Sequence, residues 1–117
     1  MPCNNRDLQI ISRIRQYCIE IRETHMMFNS SYEVFLIQHV YRNAVCMSLM
    51  QIGELSIHLS EEFKKQNPEI PWRQIKGMRN LFAHHYWGLE TKELWKTSFG
   101  DTENLLNFCD SLLAEST

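Results

Sequence analysis

Helix breakers are scarce in this chain and fall close together. Four glycines and three prolines serve 117 residues, with Pro68 beside Pro71 and Gly77 and Gly88 bracketing one stretch. A β fold with many turns would need such residues at much shorter intervals. The long breaker-free intervals instead carry apolar residues at helical spacing. Leu8, Ile11, Ile14, Cys18, Ile21 and His25 recur every three or four positions. They predict a first helix from about residue 5 to residue 27, with Asn5 as its N-cap. In FNSSYEV, Ser30 followed by Glu33 fits a capping box that opens a second helix. That helix is expected to run to about Gln66, with a seam of Val34, Ile37, Tyr41, Ala44, Ser48, Ile52, Leu55 and Leu59. Gly53, in its middle, marks a bend or a close helix contact. NPEIPW is a hard stop, and proline suits the first turn of the next helix. A third helix is expected from Pro71 to His84 or Tyr86, ended by Gly88. A fourth follows Thr91 in TKELWKT. A fifth follows Asp101 as N-cap, with Leu105, Leu106, Phe108, Leu112 and Leu113 on its apolar side. The expected architecture is an all-α antiparallel bundle of four to five helices, forming one domain over residues 1–117.

Composition narrows the class. The 44% hydrophobic and 22% charged fractions suit a soluble globular protein. No apolar run approaches the roughly 20 residues that cross a bilayer. Arg6 and Asp7 interrupt MPCNNRDLQII, so it lacks the apolar core of a signal peptide. A cytoplasmic protein without membrane contact is expected. Cys3, Cys18, Cys46 and Cys109 are scattered without a CxxC pair, which suits reduced thiols and no metal cluster. Cys18 and Cys46 are expected in the core and Cys3 in a frayed terminus. A net charge of −2 does not announce nucleic-acid binding. Residues 70–89 nevertheless contain no acid, while Arg73, Lys76 and Arg79 are all present. On charge alone, an ordinary solvated helix face is the simpler reading.

Residues 79–86 read RNLFAHHY and hold two of the five histidines. On a helical wheel with Arg79 at zero, Asn80 falls at about 100°, His84 at about 140° and Tyr86 at about −20°. Ala83 lies within this arc, at about 40°. Ile75, Met78, Leu81 and Phe82 occupy the opposite side, and His85 falls with them at about 240°. One polar face therefore carries Arg79, Asn80, His84 and Tyr86. Histidine exchanges protons near neutral pH, and the forked arginine cation suits phosphate oxygens. Such a set fits metal-free RNA cleavage: a base assists the 2′-hydroxyl, a cation stabilises the phosphorane, and an acid protonates the leaving oxygen. One histidine cannot hold both protonation states, so a two-fold dimer bringing two such faces together would complete the site. The plainer alternative is a helix end whose polar residues cap carbonyls and meet water. The absence of nearby carboxylates argues against a metal enzyme.

The pattern Arg-x4-His-x-Tyr, in Arg79, His84 and Tyr86, resembles the signature of the HEPN superfamily. It is most similar to the HepT-type toxins of prokaryotic toxin–antitoxin pairs. QIGELSIHLSEEF resembles the family's helix with its Ile-Gly-Glu step, here Ile52, Gly53 and Glu54. NPEIPWRQIKGMRN resembles the lead-in to the motif helix, and YWGLETKELW the segment after it. Together these cover roughly residues 45–97. The resemblance implies a dimerising HEPN-like bundle with metal-independent endoribonuclease activity and no cofactor. It implies Arg79 and His84 as catalytic residues and Asn80 in support. It also implies a minimal nucleotidyltransferase antitoxin that attaches AMP to Tyr86, in a type VII-like system. Leu55 stands where the family often has alanine, Ala83 where a larger aliphatic is common, and His85 at the variable position. None of these breaks the motif.

Other residues invite weaker readings. Glu54 could orient a motif side chain, or simply be solvated. His25, His39 and His58 lack metal-ligand partners and are expected to be structural or at the surface. Trp72, Trp87 and Trp95 could stack bases, but core or dimer contacts are the preferred role. The six methionines are expected as gap fillers. Three functions compete: a toxin ribonuclease, a non-catalytic nucleotide- or substrate-binding module beside a nucleotidyltransferase, and a structural helical adaptor.

Overall fold

The computed structural model describes residues 4–81 and 91–115. Helix α1 (Asn5–Met27) is the central element. It buries Ile11, Ile14, Cys18 and Ile21 completely, as the spacing predicts. Its N-cap is Asn4, one residue earlier than expected, with the side chain accepting from the Asp7 amide at 2.7 Å. Asp7 is itself buried and accepts from both the amide and the hydroxyl of Ser60, at 2.9 and 2.7 Å. That joins the start of α1 to the N-cap of a helix more than fifty residues away.

The expected capping box at Ser30 is displaced by one residue. Asn29 and Ser30 adopt φ values of 57° and 49°, and the Ser30 amide donates to the His25 carbonyl at 2.7 Å to close α1. A residue in the left-handed region cannot also hold the extended conformation of an N-cap. Ser31 takes that role, accepting from the Val34 amide at 3.2 Å.

The long second helix divides into three. Helix α2 (Tyr32–Ile37) stops at Gln38, whose backbone is extended, and α3 (His39–Ser56) follows at once. Arg42 compensates for the break by donating to the orphaned carbonyls of Phe35 and Leu36. A short turn then leads to α4 (Glu61–Gln66), capped by Ser60. The break resets the seam: Phe35 and Tyr41 are fully buried, while Ile37 is 73% exposed. Tyr41, Ser48, Ile52, Leu55 and Leu59 are buried as expected.

Helix α5 (Trp72–Gly77) has Pro71 as its N-cap and tightens into a 3₁₀ turn over Met78–Asn80, where an unbroken α-helix was expected. Its expected continuation to His84 or Tyr86 lies outside the described residues. Helix α6 (Thr91–Lys96) passes through a π turn (Thr97–Asp101) into α7 (Thr102–Glu115). The expected fourth and fifth helices are thus continuous, and Asp101 lies within the π turn instead of capping a new helix. The Thr102 hydroxyl donates to the Thr97 carbonyl at 2.9 Å across the widened turn.

The core lies where α1 packs on α3 and α7. Cys18, Cys46 and Cys109 are buried free thiols. Burial pushes the Cys46 thiol up to about 11 and the Cys109 thiol up to about 12, so these groups stay protonated. Among the described residues there is no strand, and no helix is long and apolar enough to cross a membrane.

Candidate functional site

Arg79 and Asn80 stand on the 3₁₀ turn, and both are exposed. Ile75 and Leu81 on the same segment are buried, so among the described residues the apolar side lies inward and Arg79 and Asn80 lie outward. The turn rests on α3 at Gly53. A Cβ atom there would come within 2.6 Å of the Arg79 amide nitrogen, 2.8 Å of the Ile75 carbonyl oxygen and 3.2 Å of the Met78 carbonyl carbon. All three are backbone atoms, so no side chain could swing aside. Of the two roles anticipated for Gly53, close contact is the one observed. Its hydrogen lets the backbone that carries Arg79 lie directly on the helix below it.

The arrangement anchors Arg79 through its backbone and leaves its guanidinium in solvent. Among the described residues, no carboxylate pairs with Arg79, Arg73 or Lys76; the ion pairs there involve other cations. His84 and Tyr86, with the neighbouring His85, fall outside the described residues. Glu54, next to the platform glycine, is exposed and meets His58 one turn on at 3.6 Å.

A second cluster takes up the histidine at the end of α1. His25 is 2% exposed. Its Nδ1 meets the Tyr41 hydroxyl, and its Nε2 meets the Ser98 hydroxyl at 2.9 Å. Its ring stacks on Phe99 with centroids 3.8 Å apart and meets Trp95 edge-on at 5.3 Å. The π turn makes this possible by directing Ser98 inward, where it too is 2% exposed. Burial lowers the affinity of His25 for a proton, and the same burial pushes the Tyr41 phenol up to about 12. Both groups are therefore neutral fixtures of the scaffold. Trp95 and Trp72 pack in aromatic clusters, as preferred from the sequence, whereas Trp87 lies outside the described residues. His39 is at the surface, 3.0 Å from Arg42.

One surface feature escaped the sequence pattern. Met26, Met27, Leu36, Ile37, Val40 and Met47 are all large, apolar and exposed. Sequence spacing assigned Ile37 to the seam; only the break at Gln38 turns it outward. Val40 and Met47 are seven residues apart on α3, roughly 120–140° around the helix from Gly53. The apolar stripe therefore faces away from the platform that holds Arg79.

A family model described as "Ribonuclease HepT-like" matches residues 8–112. "Probable ribonuclease HepT" of Thermococcus cleftensis is 39% identical over 74 residues, covering 63% of this chain and 67% of that protein. An RNase candidate of Methanocaldococcus jannaschii is 35% identical over 65 residues, covering 56% of this chain and 60% of the relative. Another, of Caldanaerobacter subterraneus, is 36% identical over 67 residues, covering 57% and 60%. The chain thus spans between 60% and 67% of the length of these relatives. No solved structure matches it.

Proposed function

The chain belongs to the HepT-like ribonuclease family, and on that premise we propose that it is a metal-independent endoribonuclease whose site is completed across a homodimer. The observation that carries this reading is the Arg79 turn: a backbone seated on Gly53, with an exposed guanidinium that no carboxylate among the described residues neutralises. A phosphodiester is the natural partner for such a forked cation.

In the proposed reaction, His84 of one protomer takes the proton of the 2′-hydroxyl as its oxygen attacks the adjacent phosphorus. Arg79 stabilises the charge that develops on the phosphorane oxygens, and Asn80 orients the phosphate. His84 of the second protomer, protonated, donates to the departing 5′-oxygen. The products are a 2′,3′-cyclic phosphate and a free 5′-hydroxyl. The exposed apolar stripe of Val40 and Met47 supports self-association, because it offers a second copy an uncharged surface.

The protein acts as a toxin, and a minimal nucleotidyltransferase is its antitoxin. The phenol oxygen of Tyr86 attacks the α-phosphorus of ATP, pyrophosphate leaves, and the phenolic proton passes to solvent. Each added AMP brings a phosphodiester anion to the cationic face and repels RNA. The test is incubation of the pure protein with total RNA and excess chelator. Cleavage by the native protein and none by Arg79→Ala supports the reading. Absence of cleavage, with nucleotides still bound at Arg79, would leave a non-catalytic nucleotide-binding module.

A further inference from the structure

One turn along α3 from Gly53, a recess opens between α3, α4 and α5. It has a volume of about 310 Å³ and is lined by Ser56, Ile57, Glu61, Lys64, Trp72, Arg73 and Lys76. Three cations face one carboxylate, and that carboxylate is already tied to Lys64 at 3.0 Å. The field of the recess reaches Glu61: its bond to Lys64 is the main influence holding it below the usual carboxylate range, with Lys65 and Lys76 adding to it. Arg73 and Lys76 are exposed and unpaired among the described residues.

The apolar wall is rigid. Trp72 donates its indole N–H to the Asn67 carbonyl at 3.0 Å, and its ring packs against Phe63 and Phe108. A held, half-buried aromatic ring beside unneutralised cations is the combination that holds single-stranded nucleic acid, where bases stack and phosphates are paired. The recess is lined by the same segment that carries Arg79. Arg73, Lys76 and Arg79 follow each other at three-residue intervals along one segment, a rise of about 9 Å from first to last.

Resting on the ribonuclease reading, we propose that the recess of Lys64, Trp72, Arg73 and Lys76 is a substrate-binding subsite that grips single-stranded RNA beside the nucleotide cut at Arg79. The recess binds phosphate and base without touching the reacting atoms, so it sets affinity, not the chemical step.

The probe is a short 2′-O-methyl oligoribonucleotide, which lacks the nucleophile and stays intact on the native protein. Its affinity is measured by fluorescence anisotropy across a salt series, for native protein, Arg73→Ala/Lys76→Ala, and Arg6→Ala/Arg13→Ala as a control of equal charge loss on α1. The recess variant is expected to lower the slope of log affinity against log salt by about 1.4, from two lost phosphate contacts on a single strand. The control should keep the native slope. Cleavage of unmodified RNA by the recess variant should show a raised KM and a kcat near native. An unchanged slope and KM would overturn the proposal, as would an equal slope change in the control. Native RNA binding with lost association to a nucleotidyltransferase partner would overturn it in favour of a protein interface. If the native protein neither binds nor cuts RNA, the ribonuclease reading itself fails, and the subsite with it.

Discussion

His25 is buried with both ring nitrogens bonded, whereas Arg79 and Asn80 stand in solvent on a turn seated on Gly53 through its backbone. The first arrangement removes a titratable group from chemistry: its hydrogen-bonding capacity is met by Tyr41 and Ser98, and its ring is walled by Phe99 and Trp95. The second fixes the position of a functional group without consuming its donors. Residue type alone does not distinguish a scaffold histidine from a reactive one; the partners do. The comparison also identifies what each region is sensitive to. The His25 cluster is exposed to changes in protonation, and the Arg79 turn to changes in backbone height.

The sharpest way to test the reactive side is to remove its groups singly. Arg79→Ala and His84→Ala are each expected to lower the cleavage rate by roughly 10²–10⁴-fold, the range for losing a charge stabiliser or a general acid–base. Arg79→Lys should recover only part of the loss, since lysine lacks the planar fork. His85→Ala should stay close to native, because the wheel places it on the apolar side. Rates are measured under single-turnover conditions, with circular dichroism to check the fold. Equal losses from both histidine variants in folded protein would show that the helical wheel does not describe this segment.

Gly53→Ala tests the platform. At an ordinary helix interior this change stabilises by about 0.5–1 kcal/mol. Here the new methyl would meet the Arg79 amide nitrogen at 2.6 Å and the Ile75 carbonyl oxygen at 2.8 Å. Overpacking typically costs about 1–3 kcal/mol, so the net sign should be destabilising. Cleavage should fall more than stability does, because displacement of a catalytic group by about 1 Å can remove roughly 10²-fold of rate. A variant as stable and active as the native protein would mean that Gly53 does not set the position of Arg79.

These two sites also show what could be read from residues alone. The α1 stripe follows from spacing; the sequence left Gly53 as either a bend or a close contact, and Trp72 and Trp95 as core or dimer contacts, and the structure decides each. The break at Gln38 does not follow from spacing, because it contains neither glycine nor proline; it is stabilised by Arg42, four residues later, reaching back to two carbonyls. The shift of the cap from Ser30 to Ser31 was hidden because either serine could serve. What decided it was the left-handed closure of α1. The π turn had no local mark either: its inward Ser98 is held by His25, a partner 73 residues away. Within the motif, Arg79 and Asn80 are exposed as the wheel requires. His84 and Tyr86 remain proposals drawn from pattern.

On the scaffold side, His25 predicts an acid sensitivity. Burial depresses its folded-state pKa below 6.5, so between the two values the unfolded chain binds the extra proton. Its contribution to stability is present above pH 6.5 and is lost as pH falls from there toward the folded value. Tyr41, Ser98, Trp95 and Phe99 surround the ring, and the carboxylate that acts on it among the described residues, Glu103, is engaged by Arg22. Urea midpoints measured about one unit on either side of 6.5 should fall on the acid side for native protein and fall less for His25→Gln. An identical pH dependence in the two would assign the acid sensitivity to other groups.

The smallest effect on catalysis is expected at Tyr86, and it separates two phenols by their surroundings. Tyr41 is buried, its hydroxyl faces His25, and its pKa is pushed up to about 12. It is therefore closed to an incoming nucleotide. Tyr86 is the motif tyrosine, one heptad from Arg79. No proton transfer is asked of it in the proposed reaction, so Tyr86→Phe should keep most of the cleavage rate while escaping control. Co-expression with a minimal nucleotidyltransferase, followed by intact-mass analysis, should show mass increments of AMP on the native protein and none on Tyr86→Phe. Tyr41→Phe should still be modified, since that phenol is inaccessible. Increments that persist on Tyr86→Phe would move the modification to another residue. A native protein that is silenced without any increment would leave complex formation as the mode of neutralisation. A loss of cleavage beyond about tenfold in Tyr86→Phe, in folded protein, would instead make the phenol a participant in proton transfer.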